Sequence, residues 1–382
     1  MVARHKTLSS VAARDSAAVL ELRNRAKDQS VAPATDIEQR KKDHIEIILS
    51  GAAKHSVATG FDDVNFEHCA LPDIDFNSID LSTEFLGKRL KLPFLASSMT
   101  GGPEKGGSIN LAIAEAAQEL GFAMGVGSQR IALGGGKASG LDKSIRRVAP
   151  DIPLYANLGA VQFTHGMKVD DAKRAVELIE ADALILHLNP LQEALQPGGD
   201  RNWIGVEKAI AEVCRNVGVP VIVKEVGAGI SVSTAQRLAS CGVSAIDVAG
   251  VGGSSWAAVE GRRSIDTEEQ ALAEIFRNWG IPTLKALTDI HNALPHLPLI
   301  ASGGIRHGLD GAKALRLGAS LVGQAAALLD AATQGPEQVA AKVRSFAQAL
   351  RISCFCANSS DLTVLRKAPL QQTAQPPPNA TT

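Results

Sequence analysis

The chain has almost no net charge, because 39 lysine and arginine residues are balanced by 40 aspartate and glutamate residues, for a net charge of −1. A domain that binds nucleic acid in general carries a basic excess, so the composition argues against that class of protein. The balance leaves room for a local basic pocket. We therefore expect no nucleic-acid partner.

The chain also lacks a disulfide framework, a signal peptide and a membrane span. Its five cysteines are odd in number and scattered, and the C-x-C pair Cys354 and Cys356 has no second pair in reach for a structural zinc site. The N-terminus has no continuous apolar stretch, and no window holds 18 uncharged apolar residues. These absences predict a cytoplasmic protein without a membrane partner.

Three regions follow from composition along the chain. Residues 1–36 form an N-terminal extension, partly disordered, in which 16–27 could be a short helix and 31–35 (VAPAT) breaks it. Residues 367–382 are rich in Pro, Gln and Thr and should be a disordered tail, because such a segment cannot bury enough apolar surface to offset its ordering entropy. The folded body is therefore 37–366.

Within the body, short continuous apolar runs alternate with amphipathic helices. Such runs are typical of parallel strands buried on both faces. The runs lie at 93–98, 122–127, 153–159, 183–189, 220–226, 244–250, 298–304 and 321–325. The helices lie at 109–120, 170–181, 205–216, 232–241 and 311–318.

Eight such units predict an α/β fold, the (β/α)8 TIM barrel. A doubly wound Rossmann sheet is the alternative, but it usually has fewer strands and opens with G-x-G-x-x-G, which is absent after the first run. The long connection 245–298 predicts a capping insertion between strands six and seven, on the catalytic face.

Polar and small residues gather at the predicted carboxyl ends of the strands, where TIM barrels carry their function. SGGIR (302–306) predicts a phosphate site made of backbone N–H groups and a cation, although glycines of a tight turn are the alternative. GVGGSSW (250–256) offers a second cradle of small residues. Together the two loops favour an extended phosphorylated cofactor.

Two further side chains need an explanation. Lys224 lies in an apolar run, and a buried lysine is costly unless it is paired, so it either forms an ion pair or faces an anionic ring or substrate. His187 and Asn189 alternate on one strand and face the barrel interior. A histidine in a core is usually only hydrogen-bonded, but Gln192 and Glu193 follow on the same rim and favour function.

A basic cluster precedes the barrel. Arg40, Lys41, Lys42 and His44 stand close together in a chain without basic excess. The cluster is either the solvated start of a helix or a clamp for a phosphorylated substrate.

Taken together, these residues resemble the type 2 isopentenyl-diphosphate isomerases, a family of FMN-dependent TIM-barrel enzymes. The resemblance covers about 37–330 in the family's order and rests on RKKDHI (40–45), SSMTGG (97–102), GSQR (127–130), ANLG (156–159), HLNPLQE (187–193), GDRNW (199–203), VKEVG (223–227), AGVGGSSW (249–256) and SGGIR (302–306). The family often has Ser where this chain has Ala249, and Thr where it has Ser254.

The resemblance implies a role for each matching residue. FMN would contact Ser98, Met99, Thr100, Ser128, Asn157, Lys224, Ser254, Gly304, Ile305, Arg306, Ala325 and Ala326. The substrate would contact Arg40, Lys41, His44, Ser128, Gln129, Arg130 and Gln192. Glu193 would bind Mg²⁺, and Gln192, Lys224 and His187 would take part in catalysis, His187 as a positioner rather than as the acid.

The implied reaction interconverts isopentenyl and dimethylallyl diphosphate in isoprenoid biosynthesis by adding one proton to the alkene and removing another. Reduced FMN would act as the acid–base catalyst, with Mg²⁺ on the diphosphate and with NADPH or another reductant keeping the flavin reduced. The resemblance also implies a homo-oligomer, a tetramer or larger.

Two other functions stay open. A flavin-dependent 2-hydroxy-acid oxidase on the same barrel would need a histidine base beside an arginine, and His307 follows Arg306. A flavin-binding protein without turnover is the other alternative. The joint presence of Arg40, Lys41, Gln192, Glu193 and Lys224 argues against it.

Overall fold

Eight parallel strands close into a barrel in a computed structural model, which describes residues 34–99, 105–135 and 140–371. The barrel strands are β3 (Phe94–Ala96), β4 (Ala123–Gly125), β5 (Leu154–Gly159), β6 (Ala183–Leu188), β7 (Val221–Glu225), β8 (Ala245–Asp247), β9 (Leu299–Ala301) and β10 (Leu321–Gln324). They pair in chain order, and β10 pairs with β3 to close the ring. Each strand lies inside one of the eight predicted apolar runs, so the predicted TIM barrel is confirmed.

Helices surround the strands because their apolar faces cover the outside of the barrel. Along the chain they are α1 (Ala34–Leu49), α2 (Lys105–Leu120), α3 (Arg130–Leu133), α4 (Lys143–Val148), α5 (Val169–Ile179), α6 (Pro190–Leu195), α7 (Val206–Asn216), α8 (Val232–Ser240), α9 (Trp256–Arg263), α10 (Thr267–Ile275), α11 (Thr283–Ala293), α12 (Gly308–Arg316), α13 (Ala326–Gln334), α14 (Pro336–Cys356) and α15 (Leu362–Leu365). Among the described helices, none is long and apolar enough to cross a membrane.

A hairpin that the sequence reasoning missed closes the amino-terminal end of the barrel. Its strands are β1 (Thr83–Phe85) and β2 (Lys88–Leu90), which pair antiparallel. Phe85 and Leu90 are buried against barrel residues that include Tyr155. The interior is therefore filled by side chains at this end and can hold a ligand only at the other.

The long connection between β8 and β9 folds into α9 and α10, followed by α11. Helix α9 packs on both α6 and α1. Helix α1 carries the basic cluster at 40–44, and we call this helix the basic segment. The insertion and the basic segment therefore meet above the barrel. The predicted insertion thus lies on the carboxyl side of the strands.

The ends of the chain depart from the predicted boundaries. Helix α1 begins at Ala34, inside the predicted extension, and residues 1–33 lie outside the described part of the chain. Segment 367–371 runs beside 65–67, where the amide of Glu67 donates to the Pro369 carbonyl at 2.9 Å. Residues 372–382, the rest of the predicted tail, also lie outside the described residues.

Candidate active site

A row of polar side chains crosses the carboxyl end of the barrel on adjacent strands. The strand register places His187 on β6 beside Lys224 on β7, and Lys224 beside Asp247 on β8. Asn157 stands on β5 next to β6. Because the inner faces of parallel strands converge at this end, these four residues form the floor of the site.

The orientation of His187 is fixed by Asn157. The Asn157 amide nitrogen donates to the Val126 carbonyl at 3.1 Å, so the amide oxygen is left to face His187 Nδ1 at 2.8 Å. That oxygen can only accept, hence Nδ1 carries the proton and Nε2 is an acceptor. Burial, with the charge of Lys224, lowers the pKa of His187 to about 3. The ring is therefore neutral at physiological pH.

Lys224 and Asp247 are both buried beside this histidine. The Lys224 ammonium donates to the Glu225 backbone carbonyl at 2.6 Å. One Asp247 oxygen accepts from the Ser302 hydroxyl at 2.6 Å, while the other is buried with no partner among the described residues. Burial raises the pKa of Asp247 above its ordinary value, because a carboxylate loses water there. The floor thus holds polar groups without a full set of protein partners.

Glu260, on α9, is the centre of the site's hydrogen-bond network and was missed by the sequence reasoning. One oxygen accepts from His44 Nε2 at 3.1 Å and from the Gln192 amide at 2.9 Å, and the other pairs with Arg263 at 2.6 Å. Burial would raise its pKa, but the bonds from His44 and Gln192 and the Arg263 charge outweigh that effect and lower it. Glu260 is therefore an anion that joins the basic segment to Gln192.

Gln192 and Glu193 stand at the start of α6 and share Asn189 as a donor. The Asn189 amide nitrogen donates to Gln192 Oε1 at 3.1 Å and to Glu193 Oε1 at 2.8 Å. The second Glu193 oxygen accepts from the Asp200 amide at 2.7 Å. Both predicted residues are thus held in defined orientations by a strand end and by the loop containing Asp200.

The basic segment lies over this rim. Arg40 is partly buried, and burial lowers its pKa although Glu260 and Glu193 act in the opposite direction. Arg130 lies 3.6 Å from the Asp200 carboxylate. The half-buried Lys41 is on the same helix as Arg40. Arg40 and Arg130 thus place two cations close to carboxylates of this rim.

Gln129 is oriented differently from the neighbouring predicted substrate residues. It is fully buried, its oxygen accepts from the Asn157 amide at 3.1 Å, and its nitrogen donates to the Ala175 carbonyl at 2.9 Å. Its side chain fastens β4 to β5 and α5. Its predicted contact with substrate stays a prediction, while half-buried Ser128 is beside it.

Two glycine loops interlock at the far side of the site. A side chain at Gly304 would overlap the backbone of Gly252, and one at Gly253 would come within 2.7 Å of the Gly304 amide nitrogen. Within the described chain, the amides of Gly304 and Ile305 donate to no protein acceptor. We call residues 252–254 and 303–305 the phosphate cradle.

The other predicted phosphate contacts surround this cradle. Ala325 and Ala326 are at the start of α13. The Arg306 side chain pairs with Asp310 at 3.0 Å and with Asp62 at 2.6 Å, and both raise its pKa. Its guanidinium is thus already engaged by carboxylates, and a phosphate contact would come from the loop around it.

These residues fit FMN. The cradle offers amides and tight backbone packing of the kind that binds phosphate. The Ser98 hydroxyl, like the second Asp247 oxygen, is buried without a partner in the described chain. Met99, the next residue, is half-buried and packs against the hydrophobic core. Thr100 lies outside the described residues. Unpaired buried polar atoms call for a partner, and a polar ring system across the strand ends would supply one.

Mg²⁺ fits the site only together with a phosphorylated ligand. Among the described residues, no group of three or more His, Cys, Asp or Glu side chains could hold a metal ion. Mg²⁺ is commonly bound through one or two carboxylates, waters and substrate phosphates. Glu193, with its carboxylate fixed by Asn189 and Asp200, suits that arrangement.

Comparison with known proteins agrees with this chemistry. A profile of the FMN-dependent dehydrogenases matches residues 196–368. The chain is 55% identical over 333 residues to the isopentenyl-diphosphate delta-isomerase of Xanthobacter autotrophicus, covering 87% of this chain and 97% of that protein. It is 48% identical over 332 residues to the Synechocystis protein of the same name, and the match covers 87% of this chain and 95% of that protein.

Solved structures support the fold. A mandelate oxidase with an FMN adduct superposes with a TM-score of 0.62 at 18% identity, covering 88% of this chain and 100% of that one. A lactate oxidase from Pediococcus acidilactici gives 0.60 at 18% identity, covering 87% and 95%. At such identity the likeness concerns the barrel alone. The identity to the isomerases is far higher and extends along nearly their whole length, so the chain belongs to the FMN-dependent, type 2 isopentenyl-diphosphate delta-isomerase family.

Proposed function

We propose that this chain is an isomerase that interconverts isopentenyl diphosphate and dimethylallyl diphosphate in isoprenoid biosynthesis. One observation carries the proposal beyond the family relation. Buried Glu260 bonds both His44 of the basic segment and Gln192 of the strand rim, at 3.1 and 2.9 Å. The groups for a diphosphate and the amide for an alkene thus belong to one network.

The reaction adds a proton to the terminal alkene carbon and removes one from the saturated carbon next to the double bond, with no net redox change. An unactivated alkene is a weak base, and its protonation gives a tertiary cation, so a poised acid, a base and an electron-rich surface are required. Reduced FMN, when bound, supplies acid–base chemistry and an electron-rich face beside the cation.

The chain's own residues position this chemistry. Gln192 has no ionisable proton, so its role is to orient the alkene or to relay a proton between groups that do ionise. His187 is neutral, with a pKa of about 3, and offers Nε2 as an acceptor. It therefore positions its neighbours and is unsuited to be the primary acid, because so low a pKa leaves no proton to give. Lys224 stabilises negative charge at the floor.

The substrate's diphosphate would be held by the basic segment, through Arg40, Lys41 and His44, and by Arg130 across the rim. Glu193 would hold Mg²⁺, which would supply further positive charge for the same group. Remote binding energy of this kind would fix the position of the five-carbon tail and let the site act on a small hydrocarbon.

Three further parts of the proposal concern the setting of the enzyme. NADPH or another reductant would keep the flavin reduced. The five free cysteines suit a reducing, cytoplasmic compartment. A homo-oligomer, a tetramer or larger, stays a prediction from the family resemblance.

The 2-hydroxy-acid oxidase is disfavoured by the position of His307. Its ring caps α12, where Nδ1 accepts from the Asp310 amide at 3.3 Å, and it is half exposed. It thus lies outside the row of Asn157, His187, Lys224 and Asp247 at the barrel floor. Among the described residues, the histidine in that row is His187, whose pKa makes it a poor base.

The test is an anaerobic assay with FMN, Mg²⁺, a reductant and isopentenyl diphosphate, in which each component is omitted in turn. We expect dimethylallyl diphosphate to form only when flavin is reduced and Mg²⁺ is present, with no reductant consumed per turnover. A protein replete with FMN that forms no product would overturn the function. Oxidation of 2-hydroxy acids would then be assayed.

A further inference from the structure

The segment that joins α1 to the barrel is paired with the phosphate cradle. Lys54 and Ser254 form an antiparallel bridge, the His55 amide donates to the Gly253 carbonyl at 3.0 Å, and the Ser255 amide donates to the Ala53 carbonyl at 2.8 Å. Residues 53–55 therefore form a short strand-like pair with 253–255. Movement of either segment moves the other.

The side chain of His55 adds a contact of its own to this pair. The Gly252 amide donates to His55 Nδ1 at 3.3 Å. An acceptor at Nδ1 requires the proton on Nε2. The ring is half-buried, and burial keeps its pKa below the ordinary value, so it stays neutral near neutral pH. His55 thus holds a cradle amide in place from the side of the basic segment.

The cradle transmits this contact to the amides that would bind phosphate. Gly252 lies against Gly304, and the buried Thr59 occupies space that a side chain at either glycine would need. A shift of the loop at Gly252 therefore displaces the Gly304 and Ile305 amides. Bound phosphate would favour the one arrangement in which all these groups are aligned.

Helices α1 and α9 together form what we call the diphosphate clamp. Segment 53–55 and its partner 253–255 lie at the ends of these two helices. Helix α1 ends just before Ala53, and α9 starts after Ser255, whose hydroxyl caps the helix by accepting from the Ala258 amide at 3.3 Å. The two helices meet where His44 bonds Glu260. Anchoring 53–55 to 253–255 thus fixes both partners of that bond.

We propose that His55 is a positioning residue that couples occupancy of the phosphate cradle to the seating of the diphosphate clamp. FMN binding would order the clamp through the Gly252 to His55 bond before substrate arrives. The inference rests on the proposed function for the meaning of the clamp, but its central claim, coupling of the cradle to α1, needs only FMN.

Hydrogen exchange tests the coupling without substrate or turnover. Exchange at 39–49 and 250–256 is measured with and without saturating FMN for the native chain, His55→Ala, His55→Asn and the exposed-site control His68→Ala. We expect FMN to slow exchange in both segments for the native chain and for His68→Ala. His55→Ala keeps the backbone pair but loses the bond from the Gly252 amide, so we expect FMN to protect 250–256 fully and 39–49 less than in the native chain. His55→Asn keeps an acceptor oxygen near the Nδ1 position and should restore protection of 39–49.

Kinetics at saturating FMN give the second readout. Loss of one hydrogen bond in the coupling should raise the KM for isopentenyl diphosphate about fivefold to tenfold in His55→Ala, with kcat changed less than about twofold. A merely structural lesion would instead lower the active fraction, and kcat with it. If His55→Ala does not fold, His55→Leu removes the acceptor at similar size.

Two outcomes overturn the inference: FMN leaves 39–49 unprotected in the native chain, or it protects 39–49 equally in His55→Ala. If FMN protects 39–49 in a way that depends on His55 but the chain does not isomerise isopentenyl diphosphate, the proposed function is wrong and the coupling is still supported.

Discussion

At the residue scale, His187 owes its charge state to its surroundings more than to its own chemistry. The chain of Val126, Asn157 and His187 fixes the tautomer, and burial beside Lys224 removes the ring's ability to hold a second proton. An imidazole of this kind is a neutral hydrogen-bond acceptor at Nε2 near neutral pH.

The same burial predicts an acid sensitivity. The pKa of His187 is about 3 when folded, against an ordinary 6.5, so between these values the unfolded chain binds more protons and stability falls as pH falls. His187→Asn keeps a donor toward Asn157 but cannot take up this proton. We expect it to remove a fall in the free energy of unfolding of up to about 1.4 kcal/mol for each pH unit of acidification. Urea titrations of the flavin-free protein at pH 7, 5 and 4 measure the free energy of unfolding of both proteins. Identical pH slopes in both proteins, with exposed His296→Asn as control, would contradict this.

Gln192 should affect turnover more than binding. Its amide is held between Asn189 and Glu260. Removal of the side chain leaves the clamp's cations in place but takes away the group that we propose to lie beside the alkene. We expect Gln192→Ala to lower kcat about a hundredfold with KM changed by less than about threefold. Gln236→Ala, on the exposed face of α8, is the matched control. A tenfold rise in KM at unchanged kcat would reassign Gln192 to ground-state binding.

Sequence reasoning located some of these residues and misjudged the surroundings of others. The positions of His187, Lys224 and Gln192 are predictable because polar residues at the ends of apolar runs must meet at one end of a barrel; their roles stay predictions. Glu260 was missed because EGRR looks like a solvated charge run, and only the fold of the insertion buries it. Its one local signal is the apolar WAAV that precedes it. The burial of Gln129 was equally invisible, since its partners are backbone groups distant in sequence.

At the element scale, the loop after β7 is organised by a single carboxylate. The amides of residues 226–229 all donate to one oxygen of buried Glu225. This arrangement also presents the Glu225 carbonyl to Lys224. The loop is therefore held by one side chain rather than by regular secondary structure.

Removing that acceptor should destabilise the protein. Glu225→Ala leaves several buried amides without a partner, and we expect the free energy of unfolding to fall by about 2–4 kcal/mol. Glu225→Gln keeps an acceptor oxygen and should reduce the free energy of unfolding less than Glu225→Ala does. Burial already raises the pKa of Glu225 and disfavours its charge, so loss of the charge costs little. Denaturant titrations compare both with Glu212→Gln, an exposed change on α7. Equal stability of the Ala and Gln variants would show that the amides do not depend on this side chain.

The strands were predictable because each is a local apolar run that needs no knowledge of its neighbours. The β1–β2 hairpin was not, since its strands are three residues each and partly charged. Their burial comes from covering the barrel, which no local pattern encodes. Helix α1 likewise begins earlier than the broken composition of 31–35 suggested.

At the scale of the whole molecule, FMN should stabilise the fold through the cradle. A ligand that binds only the folded state at about 100 times its Kd adds about 2.7 kcal/mol, so we expect FMN to raise the Tm in proportion to the logarithm of its concentration. Gly304→Ala should abolish that rise, because the added methyl group overlaps Gly252. Gly87→Ala is matched to it, since both glycines have φ of +76° and Gly87 faces open space.

Thermal melts with and without FMN distinguish strain from packing. Both variants place an alanine in the left-handed region of φ. A decrease in Tm that both variants share therefore reports backbone strain. If Gly304→Ala still gains the full FMN-dependent rise, the cradle lies elsewhere.

The β1–β2 hairpin at the amino-terminal end of the barrel determines from which side ligands and solvent reach the site. Phe85 and Leu90 are buried at the amino-terminal end of the barrel, so side chains fill that end in the described part of the chain. Substrate, product and exchanging solvent protons would therefore reach the site from the carboxyl end of the strands, the side on which α1 and α9 lie.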